Sequence, residues 1–154
     1  SDVCSSDLVG QTVKLDSLNI KMIIRDNTPS GDTEYLRVAI VLDKQPNGSA
    51  AGLSDVYTIP SSNQAIACAQ LNVDNTTRFQ VLRDQVVAVK NYTNASGDSA
   101  AYTSFYIPNL SNEVKYSGPT AAFSDITTNN ILIFCFGFMN DGEVSVVSRL
   151  RYCD

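Results

Sequence analysis

Four basic residues are spaced so that strand geometry would bring them onto exposed faces. Lys21 and Arg25 are four positions apart in one alternating stretch, and Arg149 and Arg151 are two positions apart in another. Because side chains alternate along a strand, each pair shares one face. Cations spaced in this way can contact the phosphates of a nucleic acid. Solvated strand faces and salt bridges between subunits produce the same pattern, so it indicates no base-specific readout.

Acid–base chemistry is limited by the absence of histidine. The chain lacks the usual general base and the commonest metal ligand, and Ser/His/Asp or Cys/His catalysis is excluded unless a partner supplies an imidazole. Paired carboxylates can hydrolyse a glycoside without histidine, but no Asp or Glu pair here lies in a recognisable catalytic frame. We therefore expect the protein not to be an enzyme.

Carboxylates suggest calcium as an alternative, because calcium prefers oxygen ligands. No stretch has the alternating ligands of an EF-hand loop, and the sequence NDGE is better explained as turn chemistry. We expect no cofactor and no metal, with calcium at subunit contacts as the open alternative. The carboxylates concerned are Asp55, Asp74, Asp125, Asp141 and Glu143.

Composition describes one globular domain. The 154 residues are 44% hydrophobic and 18% charged, which is ordinary for a folded protein. The net charge of −5 argues against nucleic-acid binding by bulk charge alone. No window approaches the ~18 apolar residues of a membrane span. The cysteines show neither zinc-site spacing nor a secreted disulfide framework, so we expect buried free thiols at Cys4, Cys68, Cys135 and Cys153.

The most regular element is the stretch from Leu36 to Gly48, which predicts a strand ending in a fixed turn. Alternate residues from Leu36 to Leu42 are all apolar, as in a strand with one buried face. Pro46 then presets a backbone angle, and the following Asn47-Gly48 tolerates positive φ. We expect Asp43 and Lys44, just before the turn, to form either a contact between subunits or a polar strand end.

Other strands are separated by turns, with one or two helical turns over Ser61 to Gln70 in the long segment 49–77. The stretch Asn130 to Phe138 is apolar on both parities, which predicts a central strand covered on both faces. Asn140-Asp141-Gly142 predicts a hairpin that pairs it with Val144 to Tyr152. The remaining predicted strands are Val9 to Arg25, Arg78 to Lys90 with a bulge near Arg83-Asp84, Tyr102 to Leu110 and Val114 to Tyr116.

These elements predict an all-β fold. With seven or eight strands and almost no helix, the chain fits a β-sandwich or barrel, and the long crossing segment favours a jelly roll over an up-and-down barrel. We therefore expect an eight-stranded antiparallel jelly-roll β-sandwich with one short helix in a long loop.

Four segments in this order resemble single jelly-roll capsid proteins of circular single-stranded DNA (CRESS) viruses, to which the satellite tobacco necrosis virus coat protein is similar. The resemblance covers nearly all of residues 9–154. The segments are Arg37 with Val41-Leu42-Asp43-Lys44-Gln45-Pro46-Asn47-Gly48, Arg78-Phe79 with Val81-Leu82-Arg83-Asp84, Val114-Lys115-Tyr116-Ser117-Gly118, and Arg149-Leu150-Arg151-Tyr152.

The resemblance implies a coat protein that self-assembles into a small icosahedral T=1 shell around a circular single-stranded DNA genome. The resemblance also implies that the protein is located in the virion, that assembly takes place in the host nucleus, and that no membrane takes part. Lys21, Arg25, Arg149 and Arg151 would line the inner surface, and the loop Asp43 to Gly48 would lie at a subunit contact. Aromatic residues could anchor such contacts or fill the core; they are Tyr102, Phe105, Tyr106, Tyr116 and Phe123.

The family's Arg/Lys-rich arm is not found in this sequence. Residues 1–8, SDVCSSDL, have no periodicity and resemble the translated end of a sequencing adapter. We interpret them as a non-native scar, which would make residues 9–154 the capsid domain and place the basic arm upstream of Val9. Removing Asp2 and Asp7 from the 16 acidic residues leaves 14 against 11 basic ones, a net charge of −3.

A secreted lectin-like or adhesin-like binding module is the alternative. Five Asn-x-Ser/Thr sequences would carry glycans in a secreted protein, although a chain rich in Asn and Ser also produces them by composition. A signal peptide upstream of Val9 would favour this module, and an Arg/Lys-rich arm would favour the capsid. The five sequences begin at Asn47, Asn75, Asn91, Asn94 and Asn109.

Overall fold

A computed structural model describes residues 12–26, 33–90, 99–118, 122–138 and 142–153. Within these ranges the chain forms nine strands and only short helices. The strands are β1 (Thr12–Asp26), β2 (Thr33–Asp43), β3 (Tyr57–Thr58), β4 (Gln70–Leu71), β5 (Phe79–Lys90), β6 (Ser99–Ile107), β7 (Glu113–Lys115), β8 (Asn130–Phe138) and β9 (Gly142–Cys153). The helices are α1 (Leu53–Val56) and three 3-10 helices at Asn63–Cys68, Val73–Asn75 and Phe123–Asp125.

Two antiparallel sheets form a sandwich, which confirms the predicted all-β class. In the first sheet, β1 lies between β9 on one side and β6 and β7 on the other. In the second sheet, β2 lies between β5 and β8. The strands β3 and β4 form a small separate ladder in the crossing segment.

The core lies between β1 and β2. Alternation along β1 turns Ile20, Met22 and Ile24 inward, where they are fully buried against Val38 and Ile40 of β2. Burial of side chains of this size contributes about 1.5–3 kcal/mol each. The first two predicted strands therefore face each other across the sandwich.

A second apolar cluster covers the outer face of β2. Ala39 and Val41, on the parity opposite to the main core, are fully buried against Val56 and Tyr57 of the crossing segment. The helical turns predicted over Ser61 to Gln70 are confirmed as the 3-10 helix Asn63–Cys68, whereas α1 lies before them and was not predicted. The segment therefore serves as a cover for the second sheet.

The predicted pairing of the last two long strands is wrong. Among the described residues, β8 pairs with β2 alone, while β9 pairs with β1 in the other sheet. The strand β8 is apolar on both parities because one face meets the core and the other, with Phe134 and Phe136, meets the crossing segment. Apolar residues on both faces of a strand do not show how many strands pair with its edges. The central strand of this sheet is β2, and β8 lies beside it. Asn140 and Asp141 of the predicted turn lie outside the described residues.

The predicted bulge in β5 is confirmed, since the register with β2 shifts between Ile40 and Val41, opposite Arg83 and Val81. The expectation of buried thiols is wrong for the described cysteines. Cys68, Cys135 and Cys153 are exposed, because the first lies in the crossing segment and the others on outer strands of their sheets. Cys4 lies outside the described residues.

Candidate functional site

The four predicted cations lie exposed on the outer face of the first sheet. Lys21 and Arg25 project from β1 on the parity opposite to the buried core residues. The neighbouring β9 places Arg149 beside Asn19 and Arg151 beside Ser17. Strand alternation and antiparallel register thus bring two distant basic pairs onto one surface.

Two tyrosines of β6 share this surface. Tyr102 and Tyr106 are 63% and 57% exposed, and they lie beside Ile23 and Asn19 of β1. Four residues of strand separate them by roughly 13 Å. We call the outer surface formed by Lys21, Arg25, Tyr102, Tyr106, Arg149 and Arg151 the basic–aromatic face.

Shallow grooves run across the basic–aromatic face. One of about 130 Å³ has Asn19 and Ser17 at its base, with Tyr106, Arg149 and Arg151 around it. A second, of about 290 Å³, continues past Lys21. An aromatic ring and cations around one groove can hold a base and the adjoining phosphates.

Within the part of the chain that the structure describes, few charges of this face have an ion-pair partner. Among the described residues, neither Lys21 nor Arg149 nor Arg151 takes part in an ion pair. Arg25 lies beside Glu143 in the β1–β9 register, so its charge is partly offset. The positive potential is therefore strongest near Lys21, Arg149 and Arg151.

The predicted contact loop differs from expectation at Asp43. This residue is fully buried, and both its oxygens accept hydrogen bonds from Arg78, at 2.8 Å from Nε and 2.7 Å from Nη2. Its Oδ1 also accepts the backbone N–H of Gln45 at 3.1 Å. Asp43 therefore shapes the turn and offers no charge to another subunit. Pro46 is also buried, and Gly48 has a φ of 76°. The exposed residues of the loop are Lys44, Gln45, Asn47 and Gly48.

A polar cluster at the other end of the same strand fixes the crossing segment. Arg37 donates to Asp84 through Nε at 2.7 Å and Nη2 at 2.6 Å. Its Nη1 donates to the carbonyl oxygens of Ala67 and Ala69 at 3.2 and 2.5 Å. The guanidinium also lies 4.9 Å from the ring centroid of Tyr57, whose hydroxyl donates to Asp84 at 3.0 Å. The cluster thus joins β2, β5 and the cover.

The two ion pairs are reciprocal. Arg37 and Asp43 are six positions apart on β2, as are Arg78 and Asp84 around β5. Antiparallel pairing of the strands therefore matches each arginine with the aspartate of the other stretch. This equal spacing is the signal that sequence reasoning missed.

Electrostatics make the Arg37 cluster unsuitable for proton transfer. Burial raises the pKa of Asp84, but hydrogen bonds from Arg37 and Tyr57 outweigh it and leave that pKa below its ordinary value. Burial, followed by the hydrogen bond to Asp84, raises the pKa of Tyr57 well above its usual range. A general acid or base needs a pKa near the working pH. The cluster is therefore a structural clamp.

The carboxylates considered for calcium do not come together in the described structure. Among those residues there is no group of three or more His, Cys, Asp or Glu side chains that could hold a metal ion. Asp55 instead accepts the backbone N–H of Gly52 at 2.7 Å at the start of α1. Asp141 lies outside the described residues.

The candidate glycan sites have different environments. The amide nitrogen of Asn75 donates to the carbonyl oxygen of Asp55 at 2.8 Å, so a glycan there would break an internal bond. Asn47 and Asn109 are exposed, while Asn91 and Asn94 lie outside the described residues. This gives the binding-module alternative little specific support.

Comparison with known proteins gives one relevant similarity. No protein-family model matches the chain. A stretch of 97 residues is 31% identical to the capsid protein of tomato pseudo-curly top virus, covering 62% of this chain and 39% of that protein. The chain thus spans about two fifths of the length of the relative. No helix in the described part of the chain is long and apolar enough to cross a membrane. The similarity supports a relationship to viral capsid proteins, which are structural proteins.

Proposed function

We propose that this chain is a capsid subunit with a jelly-roll fold that self-assembles into a small T=1 icosahedral shell around single-stranded DNA. The similarity to a capsid protein is the observation that carries the proposal. The all-β sandwich supports it, because such folds can present flat, rigid edges to identical neighbours in a closed assembly. The subunit would be located in the virion after assembly in the host nucleus.

The connection pattern also supports the jelly roll. The chain crosses repeatedly between the sheets, with the long strands β1, β6 and β9 in the first and β2, β5 and β8 in the second. Greek-key connections of this kind distinguish jelly rolls from up-and-down barrels.

We assign contact with the DNA to two parts of the protein. A net charge of −5 cannot neutralise a polyanion in bulk, so most neutralisation belongs to an Arg/Lys-rich arm upstream of Val9. The basic–aromatic face would then guide the strand along the inner surface. Its cations lack ion-pair partners among the described residues, and its tyrosines offer rings for stacking.

Shell assembly is tested by producing the protein with its natural upstream reading frame and examining it by sedimentation and electron microscopy. We expect closed particles of uniform size, unchanged by a calcium chelator. A soluble protein that stays monomeric across concentrations, with no shells, would refute the capsid function.

DNA contact is tested by fluorescence anisotropy with an oligo(dT) strand and an abasic strand of equal length. Replacing Tyr102 and Tyr106 by alanine should weaken oligo(dT) binding about tenfold or more, because each stacked base is worth about 1–3 kcal/mol. The abasic strand should bind both forms equally. Tyr35, which is also exposed but lies in the second sheet, supplies the matched control Tyr35→Ala. A stacking role for this face would be excluded if the double tyrosine variant lost equal affinity for oligo(dT) and for the abasic strand, and if Tyr35→Ala lost as much.

The cations are tested separately through salt dependence. Arg149→Gln with Arg151→Gln should lower the slope of log affinity against log salt by roughly 1–2. Lys44→Gln, an exposed change in the loop after β2, is the control. An unchanged slope in the arginine variant would show that this face makes no phosphate contacts.

A further inference from the structure

The two sides of the sandwich differ in how well they cover the core. The strands β5 and β6 contact each other across one side, and β8 and β9 therefore share the opposite side. Among the described residues, β8 and β9 each have a neighbouring strand on one edge alone. Their other edges offer rows of backbone N–H and C=O groups over nine and 12 residues.

Burial shows which side is unfinished. On the β5–β6 side, the core-facing Val89 and Phe105 are 1% and 6% exposed. On the β8–β9 side, residues of the same core-facing parity remain open, with Ile133 at 39% and both Val146 and Leu150 at 43%. The apolar interior is therefore covered least where β8 and β9 meet.

The edge of β8 has none of the features that normally prevent strand pairing. Its sequence NILIFCFGF contains no charged residue and no proline. Long apolar edges of this kind pair with another strand, because natural proteins otherwise protect them with charges, prolines or bulges. A strand that adds to a sheet edge gains main-chain hydrogen bonds and places alternate side chains in the core.

We propose that two further extended strands complete the sandwich, one on the free edge of β8 and one on that of β9, and that both belong to the same polypeptide upstream of Thr12. Each would alternate, with apolar residues on the parity that covers Ile133, Val146 and Leu150. The inference is independent of any nucleic-acid contact.

The geometry favours this occupant over a second copy. The two open edges lie on one side of the core, so two strands joined by a short link could pair with both at once. Self-pairing of β9 across a two-fold axis would extend only the first sheet, leaving Ile133 open and bringing the Arg149 side chains of two copies onto one surface. Covering edges of nine and 12 residues also takes more polypeptide than residues 1–11 supply. The capsid relative has room for such strands, since this chain spans 39% of it.

Cys135 provides a direct readout, because it is exposed on the core-facing parity of β8. Two single-cysteine forms, one keeping Cys135 and one keeping Cys68, are made with serine at the other cysteines. Each is produced as the 154-residue chain and as the chain extended by its natural upstream reading frame. We expect the aromatic disulfide reagent DTNB to label Cys135 at least about tenfold more slowly in the extended form. The added strand would cover the thiol, so that the reagent reaches it only when the local structure opens. Labelling of Cys68, in the cover, should not change.

Hydrogen exchange gives a second measurement on the same proteins. The amides of β8 and β9 should become protected in the extended form, while those of β2 are protected in both. If the extended form does not fold, synthetic peptides from the upstream frame, added to the 154-residue chain, replace it and should give the same protection.

Three results would overturn the proposal. Cys135 could label equally fast with and without the upstream sequence or peptides. The 154-residue chain could protect both edges by itself in a concentration-dependent manner, with a dimer in sedimentation, which would assign the edges to a second copy. Finally, the upstream frame could lack two alternating apolar stretches.

Discussion

The two outer faces of the sandwich treat basic residues in opposite ways. On the second sheet, Arg37 and Arg78 each form a bidentate pair with an aspartate of the neighbouring stretch, and the crossing segment covers much of the surface. On the first sheet, Lys21, Arg149 and Arg151 face solvent with no ion pair among the described residues. The arginines Arg37 and Arg78 are neutralised within the chain, whereas the cations of the first sheet remain solvated.

The difference follows from register. An arginine on a strand becomes structural when the antiparallel neighbour places a carboxylate within reach and an apolar cover excludes water around the pair. Where neighbours are Asn19, Ser17 and tyrosines, the cation stays solvated. Substitutions on the two sheets test how sharply the faces differ in stability.

The largest effect is expected at the Arg37 clamp. Asp84→Ala leaves the guanidinium of Arg37 and the hydroxyl of Tyr57 without their shared acceptor. Hydrogen bonds to charged groups contribute about 1.5–3 kcal/mol each, so we expect a loss of about 3 kcal/mol in the free energy of unfolding, measured by urea denaturation. Glu143→Ala on the opposite sheet is the matched control. If Asp84→Ala lowered the free energy of unfolding by less than Glu143→Ala does, the Arg37 cluster would not hold the crossing segment on the second sheet.

The same carboxylate makes stability depend on pH. The pKa of Asp84 is lowered in the folded protein, chiefly because hydrogen bonds from Arg37 and Tyr57 exceed the opposing effect of burial. Its contribution is therefore complete above the unfolded pKa of about 3.9 and is lost as the pH falls through the lower folded value. The stability gap between wild type and Asp84→Asn should be constant from neutral pH to about 5 and narrow in stronger acid. A gap that grows on acidification would contradict this sign.

An intermediate effect is expected at Gly137, where β8 lies close beside its sheet neighbour β2. A Cβ there would collide with the backbone of Tyr35 and Leu36, which cannot move as a side chain would. Gly137→Ala should therefore cost about 1–3 kcal/mol, the usual range for overpacking. Gly52→Ala is the control, because a Cβ there meets only ordinary contacts at 3.6 and 3.7 Å. Equal unfolding midpoints for the two variants would exclude close packing at Gly137.

The smallest effect on stability is expected at the basic–aromatic face. Arg149→Gln and Arg151→Gln should each change the free energy of unfolding by less than about 0.5 kcal/mol, as exposed substitutions without partners do. The thermal midpoint by calorimetry measures this. A larger loss would show that these arginines support the fold and are not reserved for a partner.

Periodicity predicted the parts of this fold that depend on one strand at a time. The strands β1, β2, β5 and β9, the β5 bulge and the exposed parity of Lys21 follow from alternation alone. Alternation says which face a residue occupies, and it says nothing about which strand lies alongside. The predicted hairpin of β8 with β9 is wrong for that reason.

The site was predicted in the same partial way. Lys21, Arg25, Arg149 and Arg151 lie on one exposed face as their parity indicated, but their union into a single surface depends on β1 pairing with β9. The sequence left Tyr102 and Tyr106 open as either interface anchors or core residues, and it did not connect them with the cations. Only the sheet order places Tyr106 across Asn19 from Arg149, and Tyr102 further along the same face beside Ile23.

The position of β1 has a consequence for synthesis. It is the earliest described strand, yet all of its partners, β6, β7 and β9, begin at Ser99 or later. At usual translation rates the ribosome adds the residues between β1 and β9 in about 10 s. The second sheet can begin to form earlier, because β5 is the next long strand after β2 along the chain and pairs with it. In nascent chains both edges of β1 would therefore stay unpaired until β6 emerges, and the edge that pairs with β9 would stay open to chaperones until the last strand emerges.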